Sequence, residues 1–244
     1  MKLFVTETYY SCVEKAAEYI AKTGVGIDDP AVVFCEDKLT LSTESAIAKA
    51  MGGGSFGVDV VSLGRYVSKR LKDSSALSKE GSAIVVKKVL SENADNLKTL
   101  SRLAFSPSFA FETSELIAQL KSAKITPEML MSSVDSCPEN IRAKILDLAV
   151  VFKGYEDFLK KKGLADQSGI LGKMPELIEK DEKLKNSRAI VVGFSSVTRQ
   201  SIEVIKKLVK VCRSVDFFAV DGENTSLYAN EFSSLISHTF GLEK

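Results

Sequence analysis

The side chains whose types and spacing could do chemistry lie in two turns, each between a predicted strand and a predicted helix. The first turn, Thr6–Val13, follows the apolar run Leu3–Val5 and is rich in hydroxyl groups. A loop that holds nucleotide phosphates at this position needs glycines, a lysine and a Ser or Thr that binds Mg²⁺. Here there is no glycine and no lysine, and Glu7 stands where a phosphate would approach. We therefore expect no efficient ATP hydrolysis, although free N–H groups at the start of the helix leave weak anion binding open.

The second turn follows the apolar run Arg188–Val192, which is typical of a strand buried on both faces of a parallel sheet. A nucleotide hydrolase would carry a carboxylate for Mg²⁺ on such a strand, but this one ends on Val191, Val192 and Gly193. If the sheet is that of a nucleotide-binding domain, both halves of its site lack the groups that do the chemistry. The residues of this site are Thr6, Glu7, Thr8, Ser11, Cys12, Val13 and Val192.

Gly193–Val197 has a second interpretation, because a serine at a strand-to-helix turn can be the nucleophile of a hydrolase. Such an elbow reads Gly-x-Ser-x-Gly, and Val197 replaces its second glycine. A Ser-His-Asp triad also needs a histidine, and the single one, His238, lies close to the end of the sequence. A serine hydrolase is therefore the least favoured alternative, which labelling of Ser195 by a serine-hydrolase probe would support.

Composition argues against several other kinds of site. The four cysteines are scattered with no Cys-x-x-Cys pair, so neither zinc nor a disulfide framework is indicated and a reduced, cytoplasmic setting is the simplest inference. One histidine is too few for most His-based metal sites, and we predict no metal site. No apolar run approaches the about 20 residues needed to cross a bilayer, so no membrane association is expected.

Charge is uneven along the chain although the net charge is only +1. Residues 64–124 hold eleven Lys and Arg against six Asp and Glu, whereas residues 1–63 hold five against nine. Such an excess could meet nucleic-acid phosphates. On charge alone, solvated helix faces are the favoured explanation of this excess.

Apolar runs predict the strands of a parallel sheet, and helical spacing fills the stretch between the third and fourth strands. The strands are Lys2–Val5, Ala31–Cys35, Val58–Ser62, a run starting at Ala189, and Val215–Val220. The helices of the intervening stretch are Lys79–Ser91, Asn96–Phe105, Ser108–Ala123, Pro127–Ser133 and Pro138–Lys162. The early strands must pair with the late ones, because three strands alone make a poor doubly covered sheet.

These elements predict a discontinuous α/β domain over residues 1–75 and 186–225, interrupted by a helical insertion over 76–185. Ser11–Glu14 has the pattern of a capping box that opens the first helix. Thr126 suits a helix N-cap, and Gly163 should stop the longest helix. Asp221–Lys244 shows no clear element, and we expect residues 226–244 to be a tail that continues into further domains of a longer chain.

Short stretches in order along most of the chain are similar to those of one known family. They are Leu3–Val5, Glu36–Thr40, Val61–Arg65, Ile117–Lys121 with Ile125–Glu128, Lys144–Ala149, and Val192–Phe194 with Thr198–Gln200. Each is short, but their order resembles the N-terminal, helicase-like region of the B subunit of bacterial AddAB-type ATP-dependent helicase–nucleases. The resemblance implies an α/β fold with a RecA-like, superfamily 1 helicase-like parallel sheet flanked by helices.

The departures from the family pattern fall on the nucleotide site. Many members keep a glycine-rich phosphate loop where this chain has Thr6–Val13, and Val192 replaces the Asp before Gly-Phe. These departures argue against ATP or Mg²⁺ as a cofactor of this segment. The resemblance then implies an inactivated, non-catalytic scaffold of a DNA double-strand-break-processing helicase–exonuclease. Such a scaffold would contact DNA and dock on the active helicase–nuclease A subunit, and the family's nuclease domain would lie beyond residue 244.

Candidate contacts to the DNA backbone are hydroxyl, amide and basic side chains near the carboxyl ends of the predicted strands, together with nearby lysines and arginines. They are Thr40, Ser62, Arg65, Lys69, Arg70, Thr198 and Gln200. For Thr40, Ser62 and Thr198 taken singly, helix N-capping is the favoured role. A protein–protein docking module without nucleic-acid contact is therefore the alternative function, and a gel-shift titration at low and moderate salt distinguishes the two.

Overall fold

A computed structural model describes residues 1–70, 76–222 and 227–243, apart from the side chains of residues 227–229. The chain divides into two compact units, Met1–Arg70 with Lys173–Lys244, and Leu71–Gly172. Its strands, in chain order, are β1 (Leu3–Thr6), β2 (Ala31–Cys35), β3 (Val58–Val61), β4 (Ala76–Leu77), β5 (Ala165–Asp166), β6 (Arg188–Val192) and β7 (Ser214–Val220). Its helices are α1 (Tyr9–Lys22), α2 (Thr40–Ala50), α3 (Leu63–Arg70), α4 (Lys79–Glu92), α5 (Pro107–Ser122), α6 (Pro127–Ser133), α7 (Glu139–Lys162), α8 (Gln167–Gly172), α9 (Met174–Lys180), α10 (Glu182–Lys185), α11 (Arg199–Val211) and α12 (Leu227–Phe240).

The described residues of the first unit are built around a five-stranded parallel sheet with the order β1-β7-β6-β2-β3. β1 pairs with β7, with Leu3 opposite Phe217, and β2 pairs with β6, with Ala31 opposite Arg188. The predicted pairing of early strands with late ones is therefore confirmed. The α/β class is confirmed as well, and a parallel sheet flanked by helices agrees with a RecA-like fold. β1 lies at an edge, and β7 separates it from β6.

Apolar side chains of the central strands point to both faces of the sheet, and helices cover each face. On one face Val33 and Ile190 pack in a buried cluster with Ile20 of α1. On the other face the ring of Phe34 meets Tyr66 of α3 edge-on, with 5.5 Å between the ring centroids. Full burial of such side chains contributes about 1.5–3 kcal/mol each. This two-sided burial explains why β2 and β6 are unbroken apolar runs.

The second unit is mainly helical, and α4, α5 and α7 enclose a core that includes Val86, Ile117 and Phe152. α6 begins at the predicted cap, where the Thr126 hydroxyl accepts a hydrogen bond from the N–H of Met129 at 3.3 Å. α7 ends before Gly163, as predicted. The short parallel pair β4 and β5 was not predicted for this region, because two residues are too few to show a strand periodicity.

The connection between α4 and α5 corrects one prediction, because Asn96–Phe105 does not form a helix. Asp147 of α7 accepts hydrogen bonds of 2.6–3.0 Å from the three consecutive backbone N–H groups of residues 98–100. Donors committed to one carboxylate cannot also make the i to i−4 bonds of a helix. The segment therefore forms only 3₁₀ turns within its described residues, at Ala94–Asn96 and Ser101–Leu103.

Two further corrections concern helices of the first unit. The capping box of α1 is formed by Thr8 and Ser11 rather than by Ser11–Glu14, so the helix begins earlier than predicted. The stretch without a clear predicted element contains α12, whose residues Phe232 and Ile236 are fully buried. α12 packs against β7, and this contact orders a segment whose own periodicity is weak.

Candidate functional site

The carboxyl ends of β1, β2, β3 and β6 lie along one edge of the sheet, here called the carboxyl edge. Ligands of open α/β sheets bind outside this edge, because the loops that follow parallel strands all lie on the same side of the sheet. The segments that follow the four strands are Glu7–Ser11, Glu36–Thr40, Ser62–Arg65 and Gly193–Thr198. They include seven of the fourteen residues predicted for the nucleotide site and the DNA contacts.

The polar groups of the turn after β1 form hydrogen bonds with one another. The N–H of Ser11 donates to the Thr8 hydroxyl at 3.1 Å, and the N–H of Thr8 donates to the Ser11 hydroxyl at 3.2 Å. The Thr6 hydroxyl donates to the carbonyl oxygen of Thr8 at 3.2 Å. Glu7 is exposed. One of the N–H groups that a phosphate would use at this helix terminus, that of Ser11, is thus already bonded within the turn.

Three residues of the predicted nucleotide site belong to the core. Cys12, Val13 and Val192 are buried in the cluster that packs α1 on the sheet. Burial raises the pKa of the Cys12 thiol to about 11, although the neighbouring Thr6 and Gly193 lower it. Cys12 is therefore an uncharged core residue at neutral pH rather than a ligand.

Two side chains cover the end of β6. Gly193 has a φ of +65°, and a β-carbon at this position would lie 2.8 Å from Cδ1 of Leu39 and 3.6 Å from Cδ1 of Tyr9. Gly193 directly follows Val192, the strand end where a nucleotide hydrolase would carry its Mg²⁺ carboxylate. The Tyr9 and Leu39 side chains therefore occupy the space beside that position, and we call them the cover.

A carboxylate that sequence reasoning missed, Glu36, joins the ends of β2 and β6. The N–H and the hydroxyl of Ser195 both donate to Glu36 Oε1 at 2.6 Å. Lys38 pairs with Glu36 Oε2 at 2.8 Å, and its ammonium lies 5.6 Å from the ring centroid of Tyr9. Burial alone would raise the pKa of Glu36, but the hydrogen bonds from Lys38 and Ser195 hold it below its usual value. The signal for Glu36 was its place directly after a buried strand.

This contact gives a first testable expectation, an energetic coupling between Glu36 and Ser195. Glu36→Ala removes the acceptor of both bonds, so we expect the free energy of unfolding to fall by about 1–3 kcal/mol. A double-mutant cycle with Ser195→Ala should show a coupling of about 1 kcal/mol. Urea denaturation of the four proteins measures it, and strictly additive losses would show that the pair does not interact. The hydrolase alternative requires instead that Ser195 react with a serine-hydrolase probe.

Asp37 links the ends of β2 and β3 and engages three of the predicted DNA contacts. The Ser62 hydroxyl donates to Asp37 Oδ1 at 2.8 Å and accepts from the N–H of Arg65 at 3.3 Å. The Thr40 hydroxyl donates to the Asp37 carbonyl oxygen at 2.9 Å. The Arg65 guanidinium lies 3.2 Å from the same carboxylate, and its side chain is 63% exposed. Ser62 and Thr40 therefore have local structural roles, whereas Arg65 presents its charge to solvent.

Thr198 and Gln200 follow β6 at the start of α11. The Thr198 hydroxyl accepts from the N–H of Ser201 at 3.2 Å, and the Ser201 hydroxyl accepts from the N–H of Thr198 at 2.8 Å. This capping box is the N-cap alternative considered for Thr198. Gln200 is only 7% exposed.

Lys69 and Arg70 lie apart from Arg65, toward the amino ends of the strands. The Lys69 ammonium is 3.9 Å from Oδ1 of Asp59, the second residue of β3. α3 runs back along the sheet after β3, so a residue four positions after Arg65 lies about 6 Å further from the carboxyl edge. Arg70 stacks on the ring of Tyr66, with its guanidinium carbon 3.6 Å from the ring centroid. The predicted DNA contacts thus fall at two separate places.

Other kinds of site receive no support in the part of the chain that is described. In residues 1–70, 76–222 and 227–243, no three or more His, Cys, Asp or Glu side chains are grouped so that they could hold a metal ion. Over the same residues, no helix has both the length and the apolar character to cross a membrane. The four cysteines are free thiols.

Known proteins are similar to this chain in sequence. A family model described as ADDB, N-terminal, matches residues 10–234. Relatives named as the B subunit of an ATP-dependent helicase/deoxyribonuclease include those of Listeria innocua (26% identical over 190 residues, 75% of this chain and 16% of the relative), Natranaerobius thermophilus (26% over 197 residues, 77% and 17%) and Thermoanaerobacter sp. (23% over 208 residues, 82% and 18%). The match thus spans less than a fifth of the length of these relatives. The chain belongs to the ADDB N-terminal family, as its sequence pattern indicated.

Proposed function

We propose that this chain is an inactivated helicase-like scaffold segment of a DNA double-strand-break-processing helicase–exonuclease, acting in the cytoplasm. It contacts DNA and the motor-bearing A subunit, and it neither holds Mg²⁺ nor hydrolyses ATP. The observation that supports it most is the cover, the Tyr9 and Leu39 side chains beside Gly193. The relatives' name, which makes them the B subunit of an ATP-dependent helicase/deoxyribonuclease, supports membership of such a complex. The contact with the A subunit rests on that name alone.

The charges at the carboxyl edge also oppose a nucleotide. Phosphate groups would meet the carboxylates of Glu7, Glu36 and Asp37 in this region. The lysines of the edge are engaged, since Lys38 pairs with Glu36 at 2.8 Å and Lys15 donates to the Val5 carbonyl oxygen at 3.3 Å. A triphosphate would have to displace these bonds and the cover, and no glycine-rich loop would then offer backbone N–H groups to its phosphates.

We expect the full chain to show no ATP turnover and no saturable binding of a fluorescent ATP analogue up to about 1 mM, a limit that corresponds to about −4 kcal/mol. The double variant Tyr9→Ala with Leu39→Ala removes the cover, and it should still bind no ATP because the phosphate-binding groups are absent. Binding by this variant alone would show that the cover by itself excludes ATP. Turnover by the unaltered chain would overturn the proposal.

DNA contact at the carboxyl edge is assigned to Arg65. Its partner, Asp37, is 67% exposed, and exposed ion pairs contribute only about 0–1 kcal/mol. A DNA phosphate can therefore replace Asp37 as the partner at little cost, and guanidinium groups bind phosphate oxygens in a bidentate geometry. The neighbouring Ser62 and Thr40 then serve to hold Asp37 and the start of α3 in place.

We expect the chain to shift labelled DNA at low salt, with an affinity that falls as salt rises. Arg65→Ala should reduce the slope of log affinity against log salt by about 0.7–0.9, the value for one phosphate contact. Arg102→Ala, which removes an exposed arginine from the helical unit, serves as the matched control and should leave the slope unchanged. No shift at low salt would replace this proposal by the protein–protein docking module.

A further inference from the structure

We propose that the first unit carries a second DNA contact, a groove bordered by α3, α9 and α10 that holds backbone phosphates. The inference rests on the proposed function, since it assumes that the chain binds DNA. It adds two residues that the sequence did not single out, Lys180 and Lys183. The groove has a volume of about 650 Å³ and is lined by Lys69, Arg70, Leu177, Lys180, Asp181, Glu182 and Lys183. We call it the lysine groove.

The lysine groove lies near the amino ends of the strands, away from Arg65. Lys69 and Lys183 both approach Asp59 near the start of β3, each with its ammonium 3.9 Å from a different carboxylate oxygen. The Ser187 hydroxyl, which directly precedes β6, donates to the carbonyl oxygen of Lys183 at 2.6 Å. A DNA strand bound here would therefore extend the contact made at the carboxyl edge rather than repeat it.

The lysines of the groove keep donors available for a ligand. The distance of 3.9 Å from Lys69 and from Lys183 to Asp59 exceeds the 2.7–3.2 Å of an N–H···O hydrogen bond. Both side chains are about 60% exposed, and Lys180 is exposed at the end of α9. Exposed ammonium groups of this kind attract phosphates and release their counterions.

Asp181 sits in the groove but has its charge compensated. Its Oδ2 accepts bonds of 2.5 Å from the Tyr66 hydroxyl and from Nε of Arg70. Its Oδ1 accepts from the N–H groups of Lys183 and Leu184 at 3.0 and 3.2 Å. Asp181 is thus a positioning residue, because it holds Arg70 on α3 and caps the helix that carries Lys183.

The charge balance and the lining favour phosphate over an acidic protein. Four basic side chains line the groove, and Glu182 at its rim is paired with Lys185 at 2.6 Å. A tight protein interface needs apolar anchors in desolvated pockets, and Leu177 is the one apolar residue of the described lining. Phosphate binding needs only exposed cations at suitable spacing. The groove therefore fits a DNA backbone better than an acidic peptide.

The test compares two double variants of the full chain that remove equal charge. Lys180→Ala with Lys183→Ala removes the two groove lysines that the sequence did not single out. Lys22→Ala with Lys49→Ala removes exposed lysines from α1 and α2, on the other face of the sheet. Fluorescence anisotropy with labelled single-stranded and duplex DNA is recorded from about 50 to about 200 mM salt. We expect the slope of log affinity against log salt to fall by about 1.5 in the groove variant, because each of two lost phosphate contacts contributes about 0.7–0.9. The slope should stay unchanged in the control variant.

The outcomes separate this inference from the proposed function. If the unaltered chain binds no DNA at the lowest salt, the proposed DNA contact fails and the groove with it. If the chain binds DNA and Arg65→Ala lowers the slope while the groove variant does not, only the groove is overturned. Equal losses in the groove and control variants also overturn it. Labelled poly-glutamate serves as a second probe, in place of an acidic protein. If the groove variant loses poly-glutamate binding while its salt dependence of DNA binding is unchanged, the groove binds an acidic protein instead of DNA.

Discussion

Replacing Asp147 by alanine is expected to lower the free energy of unfolding of the helical unit by about 3–5 kcal/mol. Asp147 is 3% exposed and accepts hydrogen bonds from the backbone N–H groups of residues 98–100. It also accepts from the Thr99 hydroxyl at 2.8 Å. Its removal leaves these donors without their acceptor, and the cost is largest at the buried N–H of Leu100, since an unsatisfied buried group costs about 1–3 kcal/mol. Urea denaturation measures the total, and hydrogen exchange of the amides of residues 98–100 locates it.

Asp147→Asn is the matched control, because it keeps one acceptor oxygen and the side-chain shape. We expect it to lose roughly half as much as the alanine variant, since bonds to a charged acceptor are about twice as strong as neutral ones. Unchanged amide exchange in residues 98–100 of either variant would show that these N–H groups find other acceptors.

The same carboxylate predicts a dependence on pH. Burial alone would raise the pKa of Asp147, but the hydrogen bonds from residues 98–100 hold it below its usual value. A carboxyl with a depressed pKa stabilises the fold above its unfolded pKa of about 3.9, and this stability is lost as pH falls through the folded value. Protection of the amides of residues 98–100 should therefore weaken below about pH 4 in the unaltered chain. Asp147→Asn should show a smaller acid effect.

Gly193→Ala is expected to lower the free energy of unfolding by about 2–3 kcal/mol. A left-handed backbone conformation costs an L-residue about 1–2 kcal/mol, and Gly193 has a φ of +65°. The new β-carbon would also lie 2.8 Å from Cδ1 of Leu39, so the cover must move. Urea denaturation measures the loss, and a change in the fluorescence of the tyrosines would accompany a displacement of Tyr9.

Two companion variants separate backbone strain from crowding. Gly24 has a similar φ of +69°, and a β-carbon there would meet no atom within 4 Å, so Gly24→Ala reports the backbone cost alone. Leu39→Ala combined with Gly193→Ala should lose less stability than the sum of the two single variants, because it removes the overlap. If Gly193→Ala and Gly24→Ala lose the same amount, the end of β6 is not tightly covered and the main support for an excluded nucleotide is gone.

Features that depend on nearby residues could be predicted from the sequence alone. Unbroken apolar runs identified β2 and β6, because a strand buried on both faces needs an apolar side chain at every position. The cap at Thr126 and the stop at Gly163 follow from the needs of helix ends. The absence of glycine and lysine between residues 6 and 13 was likewise visible without a structure. These features predicted the α/β class and the family, and they showed that residues 6–13 lack the glycine and lysine of a phosphate loop.

Only the tertiary structure decided which side chains meet at the ends of β2 and β6. The cover beside Gly193 is formed by Tyr9 and Leu39, which lie far from it in sequence, and the Glu36 carboxylate is equally distant from the Ser195 that it binds. The lysine groove joins α3 to helices that follow a hundred residues of insertion, and Asp147 reaches back to residues 98–100. A sequence pattern records periodicity and helix ends, which are set by neighbours along the chain. The side chains that meet across the fold are set by the order of the strands and the packing of the helices, and no local pattern encodes those contacts.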